Sequence, residues 1–400
     1  MNLHEYQAKA LLQRYGINSP AGRLARSAEE AAEAARSLGT DRSGGRWAVK
    51  AQIHAGLRQG AGGVKFCDSP EAVAEAAAAL LGHRLVTPQT GAKGKLVRSV
   101  YVEQAVSHER EIYLAALIDR SAGRVALIAA GEGGNDIEAR LAAAPEKMLS
   151  LVIDPETGID EEAARGLAAQ LGLSGATADQ AVALMRALDK AFTECDASLI
   201  EINPLVVTAP KDGGGGELLA LDVKMVLDDN ALFRHAELAD LRDEEEIDPA
   251  ELEAKLYNLN YVRLDGNIGV MVNGAGLALA TVDLLKEQGG EPADFMDVRP
   301  EATRAQVTYG FKLLLRNPAV DAILVNIYGG GILRCDTVAE GIATACKEEG
   351  LRVPLIVRAA GTNGELARKI LMSQGIPVTF AQSLGQAAAK VVEVAGRKAA

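Results

Sequence analysis

The second half of this chain repeats one pattern three times: a short apolar strand, a glycine-rich turn, then a helix. Ile268-Gly-Val-Met-Val272 runs into Asn273-Gly-Ala-Gly276, Ala322-Ile-Leu-Val-Asn-Ile327 into Gly329-Gly330-Gly331, and Pro354-Leu-Ile-Val-Arg358 into Gly361-Thr-Asn-Gly364. Pro377-Val-Thr-Phe380 and a last helix complete the series. Strands that are apolar on both faces must be covered on both faces. Alternation with helices therefore predicts a parallel, doubly wound sheet with right-handed crossovers. Each turn brings unpaired backbone N–H groups and a positive helix end to the carboxyl edge, where open α/β sheets bind ligands, often anions. Glycines also make tight turns for steric reasons alone, but three such turns in one small domain favour a binding edge.

The first half mixes helices and strands. Ser27 with Glu30 forms a capping box for an alanine-rich helix that stops near Gly39. Trp47 to Ile53 reads as a strand, and Ser69-Pro70 opens another helix, with proline at its first position. Val97 to Gln104 and Glu111 to Ile118 read as strands flanking a polar turn, with Arg124 to Ala130 as their neighbour. Thr177 with Gln180 is expected to cap a long helix ending near Cys195. The run Leu241-Arg-Asp-Glu-Glu-Glu-Ile-Asp-Pro249 reads as a solvated connector. The boundary is placed there, giving an α+β domain over 1–240 and a flavodoxin-like doubly wound domain over 241–400, an α/β fold overall.

A chain of 400 residues has room for two such cores. Its net charge of −12 and lack of a dense Lys/Arg block argue against a nucleic-acid partner. No apolar run reaches membrane-spanning length, and the N-terminus lacks a basic and apolar signal region, so a cytoplasmic setting is expected. Cys67, Cys195, Cys335 and Cys346 form no CxxC pair, which indicates neither a zinc site nor a disulfide framework. His4, His54, His83, His108 and His235 show no metal-ligand spacing and read as structural or surface residues.

Between the two halves, Ser198-Leu-Ile-Glu201-Ile-Asn203-Pro204-Leu-Val-Val207 and Leu218-Leu-Ala-Leu-Asp222-Val-Lys224-Met225 read as a hairpin. Side chains two apart share a face, so Glu201 and Asn203 point the same way. With the turn centred on Lys211-Asp212-Gly213-Gly214, Asn203 falls opposite Asp222. Two or three oxygen ligands on one pleated face suit a Mg²⁺ that leaves its other positions to phosphate and water; an exposed polar face on an edge hairpin is the alternative. Lys50 ends an apolar strand and precedes Gly56-Leu57-Arg58-Gln59-Gly60-Ala61-Gly62-Gly63. A lysine beside a glycine-rich segment suits a loop closing over nucleotide phosphates, although it is not a Walker A sequence. Glu103 and Glu111, on either side of Val106-Ser107-His108, are read from spacing alone as solvent-facing charges.

Taken together, these segments resemble the β subunits of ADP-forming succinyl-CoA synthetases and of the related malate–CoA ligases. The resemblance runs over essentially the whole chain. It rests on Met1-Asn-Leu-His-Glu-Tyr-Gln-Ala, Lys50-Ala-Gln-Ile-His-Ala-Gly, Glu201-Ile-Asn-Pro-Leu-Val-Val, Asp228-Asp-Asn-Ala-Leu-Phe-Arg, Leu264-Asp-Gly-Asn-Ile-Gly, Val272-Asn-Gly-Ala-Gly-Leu-Ala and Arg334-Cys-Asp. It implies an ATP-grasp domain followed by a CoA-ligase domain. It also implies ATP and Mg²⁺ as cofactors and an α-subunit partner that binds CoA and carries a phosphorylated histidine. The product would be the CoA ester of a C4 dicarboxylate, made through an acyl phosphate. Carried over, Lys50, Leu57, Arg58 and Gln59 would bind the nucleotide, and Glu103, Val106 and Glu111 would line its pocket. Asn203 and Asp222 would hold Mg²⁺, and Glu201 would steady the partner's histidine. Asn273, Gly331, Ile332 and Leu333 would meet the acid and the phosphohistidine.

Three departures stand out. The family loop Gly-Gly-Arg-Gly-Lys-Ala-Gly-Gly has lost its lysine here. Asp-Val-Gly-Gly-Gly-Ala has become Asp297-Val298-Arg299-Pro300-Glu301-Ala302, where Pro300 suits the first turn of the following helix. The turn at Gly329-Gly330-Gly331 carries one extra glycine. Succinate is the default acid, malate the alternative. A non-catalytic nucleotide-binding regulatory subunit is the reading from another class.

Overall fold

The computed structural model describes residues 1–39, 45–210, 216–329 and 333–396. The hairpin turn at Lys211-Asp212-Gly213-Gly214 lies outside them, as do the candidate residues Gly331 and Ile332. The chain divides into two compact units, Met1–Glu246 and Ile247–Ala400.

In the second unit a six-stranded sheet runs in the order Asn260–Arg263, Pro292–Asp297, Ile268–Val272, Ala322–Gly329, Leu355–Gly361, Val378–Phe380. The first strand is antiparallel to its neighbour and the others are parallel. Alternate residues of one strand feed opposite cores, as the twofold strand period requires. Met271 packs with Val307, Phe311 and Ile342 on one face, while Val270 and Val272 pack with Ala278, Leu285 and Val391 on the other. The helix expected at Pro300 opens instead at Arg304, because Thr303 and Gln306 form the capping box there. Arg299, Pro300 and Glu301 form an exposed turn ahead of it, closed by the Ala302 N–H donating to the Arg299 carbonyl.

The first unit holds a four-stranded sheet, in the order Gly22–Ala25, Val100–Gln104, Trp47–Ala51, Val64–Cys67, and a six-stranded one. The strands expected on either side of Val106 do not form a hairpin. Val100–Gln104 belongs to the small sheet, and His108–Asp119 is central in the large one, between Ala197–Thr208 and Arg124–Ala130. The long helix starts before its expected cap, as Gly175–Glu194. Thr177 and Gln180 instead reach the Gly216 carbonyl, and the Gln180 amide oxygen accepts from the Leu218 N–H. The acidic run is also more than a wet surface: Asp243 pairs with His4 at 2.7 Å, and Glu246 with Lys95 at 3.1 Å.

One core carboxylate makes the second unit sensitive to pH. Asp294 is fully buried, and its Oδ2 accepts from the Tyr261 hydroxyl (3.0 Å) and the Asn317 amide (2.6 Å). Burial pushes its carboxyl up to about 6 against these hydrogen bonds. A raised folded value means the native state holds a proton that the unfolded chain has already released. The group's contribution is therefore present below about pH 4 and lost as pH rises through about 6. Asp294→Asn keeps an acceptor for both donors and removes the charge. We expect it to stabilise the chain at pH 7 by up to about 3 kcal/mol, with the gain closing towards pH 4. Thermal unfolding across that range measures this; a pH-independent difference would assign the effect to packing.

Candidate active site

The first unit gathers six charged side chains from five segments. The helix Glu5–Gln13 begins after His4, whose N–H donates to the Gln7 side chain at 2.9 Å. It sets Glu5 and Lys9 four apart on one face, both about 1% exposed, with Lys9 Nζ 2.8 Å from Glu5 Oε1. Lys50, in the fully buried strand Trp47–Ala51, meets Glu5 at 2.8 Å and Glu103 at 2.6 Å. Lys9 reaches the other oxygen of Glu103 at 2.5 Å. Arg58 Nη2 lies 2.6 Å from both Glu5 Oε2 and Asp222 Oδ1, and its Nη1 donates to the Ala51 carbonyl at 2.8 Å. Burial works against the charges of Glu5, Lys50 and Arg58, but the neighbours win. Lys50 and Arg58 are held above their ordinary values by Glu103, Glu5 and Asp222, and Glu5 well below its own by Lys50, Lys9 and Arg58.

The hairpin supplies the remaining pieces. Opposite the long strand Ala197–Thr208 its return limb is broken, into Leu218–Ala220 and Val223–Leu227. The break frees the Leu221 carbonyl, which accepts from Lys9 Nζ and Lys50 Nζ, both at 2.6 Å. It also leaves Asp222 partly exposed beside Arg58. The Asn203 N–H donates to the Asp222 carbonyl at 3.1 Å, so the two residues are directly opposed. The Asn203 side chain bonds both backbone groups of Gly134, its Oδ1 accepting from the N–H at 2.7 Å. Gly134 has φ +84°, which favours glycine, and an added Cβ would come within 2.4 Å of Glu111 Oε2 and displace that side chain. Glu201 shares the half-buried face of Asn203, with Ile200 and Ile202 turned into the core.

The other expected residues are distributed around this cluster. Leu57 is half-buried with φ +57°, and Gln59 is exposed. The Gly62 and Gly63 N–H groups close the loop onto the Gln59 and Arg58 carbonyls. Glu103 is 2% exposed with both oxygens engaged by lysines, not the solvent-facing charge its spacing suggests. Val106 lines a cleft of about 180 Å³ with Ser107, Thr208, Pro210 and Leu219. Glu111, opposite Val206 in the sheet, pairs with His108 at 3.1 Å. A larger cleft of about 380 Å³, which includes Arg14, Tyr15, Lys190 and His235, contains none of the expected residues. In the second unit, Asn273 leaves the end of Ile268–Val272 and bonds the backbone N–H and carbonyl of Tyr328, both at 2.9 Å; Leu333 is buried.

Sequence reasoning missed Glu5, Lys9 and Gly134. The first two carry one signal, a Glu-x-x-x-Lys pair leading into Ala10-Leu11-Leu12 of the same helix, and the third another, the Gly131-Glu-Gly-Gly134 run after a strand. Removing Lys9 leaves Glu103 and Glu5 buried with one fewer cation. We expect Lys9→Met to cost about 3–5 kcal/mol, and Glu103→Gln added to it to recover part of that loss. Urea unfolding of the two single variants and the double variant measures the coupling; strictly additive losses would show that the charges act independently.

Known proteins place this geometry in a family. Residues 2–207 match the ATP-grasp domain family, and residues 271–392 the CoA-ligase family. The chain is 51% identical to the β subunit of an ADP-forming succinate–CoA ligase from Parvibaculum lavamentivorans, over 98% of both chains. It is 49% identical to the corresponding subunit from Acidovorax sp. (strain JS42), over 98% of this chain and 99% of that one. Among solved structures, an ATP citrate lyase from Methanothrix soehngenii shares the fold, with a TM-score of 0.73 and 18% identity over 98% of this chain and 99% of that one. With this agreement along its whole length, the chain belongs to the β-subunit family of the ADP-forming succinate–CoA ligases and is a subunit of an ATP-dependent CoA ligase.

Proposed function

We propose that this chain is the nucleotide-handling subunit of a ligase that joins a C4 dicarboxylate, succinate by default, to CoA at the expense of ATP. It would work with a CoA-binding α subunit whose phosphohistidine carries the phosphoryl group between nucleotide and acid. The observation that carries this reading is the convergence of Arg58, Lys50, Asn203 and Asp222 in one unit. It supplies fixed cations beside two hard oxygen donors on adjacent hairpin limbs. Such a donor set suits Mg²⁺, which takes few protein ligands; when bound, it would neutralise charge on the nucleotide phosphates.

The chain's own residues would act mainly by holding charge in place. Arg58 is oriented by Glu5 and Ala51, so phosphate oxygens would meet a guanidinium already fixed, without the cost of ordering it. Lys50 is held in the same way by Glu5 and Glu103. Glu201, on the Asn203 face, would steady the partner's histidine. Asn273 and Leu333, with Gly331 and Ile332, would meet the acid. Malate is the second reading, favoured by the exposed Arg299, a guanidinium where the family pattern has only glycine.

Reconstitution with the α-type partner tests this reading. We expect CoA- and ATP-dependent hydroxamate formation from a dicarboxylate, and no turnover by the chain alone; turnover without a partner would overturn the two-subunit assignment. In the complex, replacing Arg299-Pro300-Glu301 with three glycines is expected to change the succinate-to-malate ratio of kcat/KM. An unchanged ratio would remove this turn from acid selection. Asp222→Ala is expected to weaken nucleotide binding by about tenfold or more when Mg²⁺ is present and much less without it. Calorimetry under both conditions checks this, and equal losses would take Asp222 out of the metal site.

A further inference from the structure

One cation in the second unit lacks a counter-charge. Arg358 is the middle residue of Leu355–Gly361, half-buried, directly opposite Asn326 of the neighbouring strand, and its side chain reaches Tyr328, two residues further towards the carboxyl edge. Its Nη1 donates to the Asn326 side-chain oxygen at 2.8 Å, and its guanidinium lies 4.8 Å from the centre of the Tyr328 ring. Its Nε is buried with no hydrogen-bond partner, and no carboxylate among the described residues forms an ion pair with it. This contrasts with the first unit, where Lys9, Lys50 and Arg58 each have two carboxylates. A guanidinium partly withdrawn from water without an anion is costly, and the cost falls when a ligand brings the missing charge.

Its position in the sheet says where such a ligand would come from. Ile268–Val272 has Pro292–Asp297 on one side and Ala322–Gly329 on the other, so the strand order reverses between it and Ala322–Gly329. Open α/β sheets bind ligands in the crevice at that reversal, outside the carboxyl ends of the strands. Here Asn273 bridges the two strand ends by holding the Tyr328 backbone. Tyr328 is 58% exposed, with Arg358 against its ring. The next strand approaches so closely that a Cβ on Gly361 would lie 2.2 Å from the Gly329 carbonyl, which keeps the edge free of side chains there.

We propose that Arg358 is a specificity-determining residue of the ligase: its guanidinium receives a carboxylate of the acid substrate at the Asn273–Tyr328 edge. This rests on the reading that the second unit handles the acid. Tyr328 orients the plane of the guanidinium, Asn326 fixes one nitrogen, and the N–H groups left without a protein partner are those a carboxylate would engage.

The test uses the reconstituted complex carrying Arg358→Gln or Arg358→Lys. Succinate and malate binding are read by calorimetry without ATP, alongside KM for acid, ATP and CoA and thermal unfolding. We expect Arg358→Gln to weaken acid binding and raise the acid KM by about ten- to a hundredfold, with the ATP KM within about twofold. Arg358→Lys should fall between, since it keeps the charge but not the fork. Equal acid binding by wild type and Arg358→Gln overturns the inference, whatever happens to turnover. So does a uniform fall in kcat with a lowered unfolding temperature and an unchanged acid KM, the result expected if Arg358 only packs Tyr328. A change confined to ATP or inorganic phosphate affinity overturns it as well. A wild-type complex that binds acid through Arg358 but makes no CoA ester would instead count against the functional reading, leaving the inference standing.

Discussion

Three ammonium or guanidinium groups and three carboxylates, most of them withdrawn from water, must remain neutral together, and much of the first unit is arranged around that requirement. Glu5 lends one oxygen to the lysines and the other to Arg58, so the N-terminal helix must dock for the cluster to close. Glu103 divides its oxygens between Lys9 and Lys50, tying that helix to the small sheet. Asp222 completes the balance from the hairpin. Buried ion networks of this kind contribute little net stability compared with apolar residues of similar size. The network therefore does more to fix the positions of Lys50 and Arg58 than to stabilise the fold.

What the sequence disclosed depended on how local the cause was. Strands such as Ile268–Val272 and Ala322–Gly329 are buried on both faces, and their apolar runs said so without reference to the rest of the chain. The hairpin was legible because Asn203 and Asp222 sit close to one turn. Lys9 was not: a lysine on a helix ordinarily faces water, and its burial follows from partners 94 and 212 residues away. The two strands around Val106 were legible, but not that they enter different sheets, and the reason is the same. Consecutive strands usually pair, and the local pattern carries no sign that Val100–Gln104 and His108–Asp119 enter different sheets.

The acidic run before residue 249 shows a related limit. Its composition is that of a solvated surface, yet His4 hydrogen-bonds Asp243 and Lys95 forms an ion pair with Glu246. His4 in turn packs against His54, with ring centres 4.3 Å apart. Burial, helped by His4, pushes His54 down to about 4, so its ring is neutral at ordinary pH. The segment that carries Arg58 is thus braced, three residues beyond its strand, by an uncharged ring tilted against one that is hydrogen-bonded to Asp243. Charge alone does not tell a wet loop from a pinned one; the presence of a matched partner does.

The acceptor shared by Lys9 and Lys50 is the backbone carbonyl of Leu221, exposed to them by the gap in the hairpin's return limb. A main-chain oxygen is specified by the path of the chain and not by the residue that bears it. A side-chain change at position 221 that keeps the chain's path would therefore leave its contribution to the charge cluster in place. Proline is the exception, because the Leu221 N–H donates to the Pro204 carbonyl across the hairpin. Two buried cations depend on this oxygen all the same. An amide-to-ester replacement of the 221–222 peptide link, which weakens the carbonyl as an acceptor without altering any side chain, would expose a dependence that substitution scanning passes over.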